Sequence, residues 1–303
     1  MRVLGRLLGL LTLGLLAACA SAEAPAASGE APAVRSLSEI LEQSPASDWR
    51  TVDQNNLLYM QLPQGRVIIE LAADYTPLHT ANIQALARAH YWDGAAIVRS
   101  QENYVVQWGR DEADPRPMGS GTATLAPEFD RARRGVQITR LPDPDSYARE
   151  VGFANGFPVA SDGRQTWMAH CYGMVGAGRG DTADSGSGAE LYVVIGHAPR
   201  HLDRNIATVG RVLQGMELLS TMPRGTGALG FYETPAERTT ITSVRLGSEL
   251  PANQRVNLEA LRTDSATFND VIDSRRFRRE SWFLEPVGHI NLCNVPLPVR
   301  VRS

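Results

Sequence analysis

The chain has 303 residues, 43% of them hydrophobic and 21% charged, with a formal net charge of −3. This is the composition of a globular protein, long enough for one large domain or for one domain with extensions. All 30 basic residues are arginine, which excludes Schiff-base and lysine general-base chemistry, and a mildly acidic chain has no electrostatic case for binding nucleic acid.

In chain order, MRVLGRLLGLLTLGLLAAC sets Arg2 and Arg6 ahead of an apolar run from Leu7 to Ala18. That is the pattern of a secretory signal, shorter than a comfortable transmembrane helix. Leu16-Ala17-Ala18-Cys19 has the form of a bacterial lipobox, in which the cysteine becomes the lipidated N-terminus; cleavage after an A-x-A-like Ala18-Cys19-Ala20 is the alternative. Either reading places the mature chain in the cell envelope or periplasm, and the first attaches it to the membrane through Cys19.

Residues 20–55 begin as a tether, ASAEAPAASGEAPA, with no apolar period, and continue into a short helical pattern, LSEILEQ (37–43). LLYMQL (57–62) and RVIIEL (66–71), separated by Pro63-Gln64-Gly65, predict a β-hairpin. A helix follows, with Thr76 as its cap, Pro77 at its first position, apolar periodicity from Leu78 to His90 and a stop at Asp93-Gly94. Further strand patterns are AAIVR (95–99), YVVQW (104–108), LYVVIG (191–196), IATVGRV (206–212) and ITSVRL (241–246), with a short helix at QGMELLSTM (214–222). Many short strands and few helices predict a mainly β fold, a closed barrel capped at its ends, and the lack of βαβα alternation argues against a doubly wound sheet.

TWMAHCYG (166–173) and ADSGSG (183–188) superficially match the histidine and serine segments of chymotrypsin-like proteases, but His170 and Ser185 stand too close in sequence to come from two separate barrels. The Gly-rich run GMVGAGRGDTADSGSG (173–188) lacks the following helix and the Gly-Lys-Ser/Thr of a phosphate loop, so it reads as a surface loop. RARR (131–134) and RRFRR (275–279) are flanked by acids and read as solvated charged faces. His170, His197 and His201 have no metal-ligand spacing, and neither metal nor organic cofactor is expected. With Cys19 set aside, Cys171 and Cys293 remain; in an oxidising envelope they can pair, the alternative being two buried thiols.

The run LLYMQLPQGRVIIELAADYTPLHTANIQALARAHYWDGAAIVR (57–99) is followed by Gln107-Trp108-Gly109, by Gly173-Met174 after Phe129, by Leu202-Asp203 and by TVGRVLQGM (208–216). This order resembles the cyclophilin-type peptidyl-prolyl isomerases over residues 56–248, with an insertion at about 131–166. The resemblance implies a closed eight-stranded antiparallel barrel capped by two helices, and catalysis of rotation about X–Pro bonds. It places Arg99 as the arginine that bonds the twisted amide and Gln107 as the residue steadying it. Tyr104, Val105 and Tyr192 fall on the proline pocket, and Glu190 where a substrate-binding glutamine is common. Val175-Gly176-Ala177 stands where the family has Ala-Asn-Ala against the peptide. His201 takes the tryptophan position beside Leu202, Ile206 the histidine position, and Ile97-Val98-Arg99 replaces Phe-His-Arg.

Strand alternation puts Val105 and Gln107 on one face and Tyr104 with Val106 on the other, so Tyr104 reaches the pocket only through a bend or bulge. The implied partners are proline-containing unfolded or nascent exported polypeptides, bound by a monomer. A catalytically weak peptide-binding or chaperone protein of the envelope is the alternative. Residues 249–303 lie beyond the resemblance; EALRTDSATFNDVIDSRRFRRESWF is expected to be helical and VGHINLCNVPLPVRV strand-like, docked on the barrel by its aromatics with Cys293 as a tie.

Overall fold

The computed structural model describes residues 35–302, Glu112 excepted; the leader and tether readings, Cys19 included, fall outside the described residues. Helix α1 (Leu37–Glu42) opens on a capping box, Ser36 Oγ accepting from Glu39 N while the Glu39 carboxylate accepts from Ser36 N. Next come β1 (Trp49–Thr51), β2 (Leu57–Leu62), β3 (Gly65–Leu71), α2 (Pro77–Arg88), β4 (Ala96–Ser100) and β5 (Val105–Gly109). The following stretch carries β6 (Arg131–Ala132), β7 (Thr139–Arg140), β8 (Glu150–Ala154), β9 (Phe157–Ser161) and β10 (Gln165–Met168). After it come β11 (Met174–Ala177), β12 (Leu191–Val194), β13 (Thr208–Gln214), α3 (Met216–Ser220), β14 (Thr239–Thr240) and β15 (Ser243–Leu246). The chain ends with β16 (Leu258–Leu261), α4 (Ala266–Phe277) and β17 (Val299–Val301).

The main sheet is antiparallel in the order β14-β4-β5-β12-β11-β13-β3-β2-β15. Its two edge strands are parts of one kinked segment. Ile241 N donates to Ala95 O at 2.7 Å and Thr242 N to Gln61 O at 2.9 Å, so the chain leaves β4 and joins β2 at adjacent residues. The sheet thereby closes into a barrel, with β14 and β15 sharing the eighth position.

The hairpin β2–β3 shows why the strands are so apolar. Leu58, Met60, Leu62, Val67, Ile69 and Leu71 alternate into the barrel core with Ile97, Val106, Trp108 and Val193. The intervening Leu57, Tyr59 and Ile68 face out, yet they are buried beneath Val52, Leu258 and Ala260. A strand covered on both faces reads as a near-continuous apolar run. The cover is a second sheet, β1-β16-β17, in which Trp49 pairs with Leu261 and Thr51 with Glu259. Residues 258–261 are therefore a strand and not the start of a helix; α4 begins later, where Ser265 Oγ accepts from Phe268 N.

Helix α2 has Pro77 at its start and Thr76 at its N-cap position, but the Thr76 side chain does not cap it. Thr76 Oγ1 donates back to Ala72 O, and the N–H groups of Leu78 and His79 donate to the carboxylate of Glu128, which also bonds His79 Nδ1 at 2.6 Å. Burial opposes ionisation of Glu128, but those hydrogen bonds and the His79 charge outweigh it and hold its pKa below the ordinary value.

A third sheet, β6-β10-β9-β8-β7, forms a second core with the chain ends. Val151, Phe153, Val159 and Trp167 pack there with Ile40 and with Phe268, Val271 and Ile272 of α4. The Phe153 and Phe268 rings meet edge-on at 5.0 Å. Asp143 accepts from Arg276 at 2.7 and 2.8 Å and from Ile290 N at 3.0 Å, so Arg276 of the RRFRR run is an internal tie and not part of a solvated face. Cys171 and Cys293 are joined in a disulfide across 122 residues. Replacing both cysteines by alanine is expected to cost about 4–5 kcal/mol of unfolding free energy in the loop-entropy description. Denaturant titration of the oxidised protein and the double variant measures it, and coincident curves would refute that contribution.

Candidate active site

Arg99 owes its direction to one extra residue. Ile97 pairs with Trp108, but Arg99 pairs with Gln107, leaving Val98 as a bulge in β4. Ile97 points into the core, and in a regular strand Arg99, two residues on, would follow it inward. The bulge turns Arg99 to the outer face, where Gln107 lies between the inward-facing Val106 and Trp108.

The bend that Tyr104 requires is a left-handed turn at Asn103 (φ 53°) just before β5. Tyr104 N donates to Gln101 O and Tyr104 O accepts from Ile195 N. The ring thus joins Val105, Tyr192, Val194, Leu202 and Ile206 in one apolar cluster outside the barrel. Its floor, Val105 and Tyr192, is 2% and 4% exposed; Tyr104, Leu202 and Ile206 form half-buried walls. The exposed His201 ring stacks on Tyr104 at 6.3 Å and 6°.

Beside this cluster the Arg99 guanidinium is held by three neutral oxygens. Nε donates to Leu229 O at 2.7 Å, Nη1 to Gln107 Oε1 at 3.2 Å, and Nη2 to Gln101 Oε1. Its Cζ lies 5.4 Å from the Tyr104 ring and 5.2 Å from the Phe231 ring. Burial draws the Arg99 pKa below its ordinary value, the Tyr104 hydroxyl opposing, and a guanidinium remains charged. Of its five N–H donors, two are left by these contacts. Gln107 spends no donor on Arg99: its Nε2 donates to Glu190 at 2.7 Å, which fixes the amide with its oxygen toward the arginine. Glu190 can reach because Gly109 and Gly178 leave room, a Cβ at Gly109 falling 2.7 Å from Glu190 Cγ.

Tyr192 is anchored from behind. Its hydroxyl lies 2.8 Å from His170 Nε2, and His170 Nδ1 lies 3.0 Å from Asp203. In the neutral imidazole with its proton on Nδ1 toward Asp203, Nε2 accepts from the Tyr192 hydroxyl. Arg200 Nε bonds Asp203 at 2.6 Å, and its two terminal nitrogens bond Asp145 of the β7–β8 connection. Burial pushes the Tyr192 pKa well up. For Asp203 burial also pushes upward, but the His170 hydrogen bond and the Arg200 charge prevail and leave it below the ordinary 3.8.

Of the expected residues on β11, only Gly176 shares this face. A Cβ there would meet the Tyr192 ring and hydroxyl at 2.2–2.6 Å, so glycine lets the tyrosine lie across the strand. Val175 and Ala177 point into the barrel core, and β11 is paired on both edges, to β12 and β13. The structure therefore does not bring Val175 and Ala177 together with Arg99. The Gly-rich run is likewise a buried strand as far as Ala177, with the loop starting after it. Gln101, Leu229, Phe231, His170 and Asp203 enter the site without having been singled out for it. The one sequence signal for the 225–231 loop is its glycine spacing, GTGALGF. Among the described residues no three His, Cys, Asp or Glu side chains are grouped to hold a metal ion.

The family model described as cyclophilin type peptidyl-prolyl cis-trans isomerase/CLD matches residues 57–246. Two curated proteins, the probable peptidyl-prolyl cis-trans isomerases of Brucella suis and Brucella melitensis, are each 25% identical over 177 residues, 58% of this chain and 76% of theirs. The crystal structure of a cyclophilin from Hirschia baltica matches with a TM-score of 0.66 and 25% identity, over 84% of this chain and 94% of that one.

Two outcomes follow from the buried network. Tyr192→Phe leaves His170 Nε2 without its close donor and is expected to cost about 1–3 kcal/mol, read by denaturant unfolding; no loss would mean that Thr208 Oγ1, 3.4 Å away, takes over. Because the folded pKa of Asp203 is depressed, its stabilisation is full above its ordinary 3.8 and is lost as pH falls through the lower folded value. Asp203→Asn should therefore lower stability at pH 7 and flatten its decline below about pH 4. An unchanged slope in unfolding measurements from pH 6 to 3 would exclude Asp203 as a source of it.

Proposed function

The chain belongs to the cyclophilin-type peptidyl-prolyl cis-trans isomerases, and from that premise we propose that it rotates X–Pro bonds of exported polypeptides by bringing Arg99 against the twisting amide. The planar peptide bond resists rotation by ~18–20 kcal/mol because the nitrogen lone pair is delocalised into the carbonyl. At the twisted geometry that delocalisation is gone and the lone pair returns to nitrogen. A guanidinium N–H then finds a better acceptor than in the planar amide, and preferential binding of the twisted form lowers the barrier.

The observation that carries this reading is the fixed, charged guanidinium of Arg99 with two N–H donors left over, beside the cluster of Tyr104, Val105, Tyr192, Leu202 and Ile206. Its acceptors are all neutral, so no contacting carboxylate cancels its charge. Because Gln107, Gln101 and Leu229 hold it in place, little reorganisation is needed when the amide twists. A charge-assisted hydrogen bond contributes about 1.5–3 kcal/mol, a factor of roughly 10 to 150 in rate. The remainder comes from orientation and desolvation. The apolar cluster accepts the proline ring, and a twisted amide, having lost charge separation, suits an apolar wall better than a planar one does.

The choice of exported substrates is supported by the signal-like N-terminus and by the Cys171–Cys293 disulfide, a bond that oxidising compartments permit. In this reading the protein works as a monomer in the envelope, held by a lipid at Cys19. Arg99→Ala is expected to lower kcat/KM for a proline-containing peptide by roughly 10- to 150-fold with folding unchanged. A protease-coupled isomerisation assay checks it, and background rates for both wild type and variant would reject catalysis while leaving peptide binding open.

A further inference from the structure

The loop from Gly225 to Phe231 reaches the same guanidinium from an element that takes no part in the Tyr104 cluster. We propose that Leu229 and Phe231 form an apolar subsite that selects X–Pro sequences with a large apolar side chain next to the proline. This rests on Arg99 being the group that acts on the prolyl amide, because the subsite is defined by its distance from that residue.

The loop is built, not draped. Gly225 N donates to Ser100 O at 2.9 Å, Tyr232 N to Val98 O at 3.0 Å, and Gly227 N to Phe231 O at 3.0 Å, which fastens both ends to β4 and pinches the loop across its own neck. Arg99 and Phe231 form a β-bridge, and Tyr232 Oη donates to Pro223 O at 2.5 Å. Glycine is required at two places: a Cβ at Gly225 would fall 2.1 Å from Gly230 O, and one at Gly230 (φ +78°) would fall 2.6 Å from Gln101 Cα. Gly225 lets the loop close on itself, and Gly230 lets it pack on the β4–β5 turn.

What the loop presents is unusual for a fold-stabilising contact. Leu229 is 66% exposed and Phe231 39%, although both are large apolar residues within a fastened loop. Leu229 also has φ 55° and ψ 19°, a left-handed conformation that a branched side chain rarely adopts. That conformation accompanies the Leu229 carbonyl's bond to Arg99 Nε while the leucine side chain remains in solvent. Strain and apolar exposure concentrated beside a catalytic group point to use by a ligand. The ligand is polypeptide, because the adjoining cluster receives the proline of the same chain, and a neighbouring residue lies within one residue's reach of it.

The test compares peptides in which proline is flanked by leucine, by glycine or by glutamate, assayed for isomerisation by the full protein. Wild type should favour the leucine-flanked peptide over the glycine-flanked one by about tenfold, the effect of covering one large apolar side chain. Phe231→Ala combined with Leu229→Gly should collapse that ratio toward one, and Phe231→Leu should keep most of it. A ratio that the double variant leaves intact overturns the subsite, as does an equal loss on all three peptides, which would make the loop a support for Arg99 alone. Arg99→Ala is run alongside: if it retains wild-type rates, the arginine reading fails and takes the subsite with it, whereas an inactive Arg99→Ala with an intact ratio in the loop variant sinks the subsite only. Thermal unfolding of each variant confirms that the comparison is made on folded protein.

Discussion

The site depends on keeping one guanidinium charged, half-buried and free of any contacting carboxylate. A buried cation is costly unless its donors are satisfied, and a carboxylate would satisfy them at the expense of the charge that the proposed mechanism uses. Three neutral acceptors, Gln107, Gln101 and the Leu229 carbonyl, resolve the conflict. Each acceptor imposes a further requirement. Gln107 must turn its oxygen to Arg99, so its nitrogen needs Glu190, and Glu190 needs glycine at 109 and 178. Leu229 needs a left-handed residue and the tight glycine packing of the 225–231 loop. The bulge at Val98 comes before all of these, because without it Arg99 would point into the barrel.

The barrel alone would leave the outer face of β2–β3 exposed, with Leu57, Tyr59 and Ile68 in water. The β1-β16-β17 sheet covers them, and this brings together residues from both ends of the described chain. The cover is also tied by charge: Arg50 of β1 and Arg211 of β13 both bond Glu70 of β3, at 2.6 and 3.3 Å. Arg211 and Glu70 are buried, so removing Glu70 would strand the Arg211 charge, a larger penalty than the pair's net attraction, whereas removing Arg211 would leave Glu70 paired with Arg50. Strands β1, β16 and β17 are therefore a structural cover for the barrel's outer face.

How much of this the sequence discloses depends on the range of the interaction. The barrel strands are legible because alternation and turn residues are local, and Arg99, Tyr104 and Gln107 are legible through the family resemblance, which a compact β4–turn–β5 stretch carries. Pro77 marks the start of α2 by a local signal too. What is not legible is set by distant partners. Thr76 looks like a cap because nothing local shows that Glu128 will arrive to take the first N–H groups. Glu259–Leu261 looks helical because its strand partner, Trp49–Thr51, lies some two hundred residues earlier. That the Val175 and Ala177 side chains face the core is likewise not legible, because position in a motif says nothing about which side of β11 is turned inward.

A tyrosine at position 192 has a structural consequence that a phenylalanine would not. A phenol hydroxyl in an apolar floor must be given a partner, and here the partner is a histidine already committed to Asp203. Asp203 in turn accepts from Trp167 Nε1 at 3.3 Å and from Arg200, and Arg200 bonds Asp145. Trp167 and Asp145 both come from the segment carrying the third sheet. That segment is thus coupled to Tyr192 through His170, Asp203 and Arg200, although it lies outside the barrel. The histidine that sequence reading sets aside as part of a failed protease motif is the junction of this path. Its Asp–His–hydroxyl order resembles a catalytic triad in connectivity, but the hydroxyl belongs to a pocket aromatic buried against Gly176, so the arrangement holds a ring in place and activates no nucleophile.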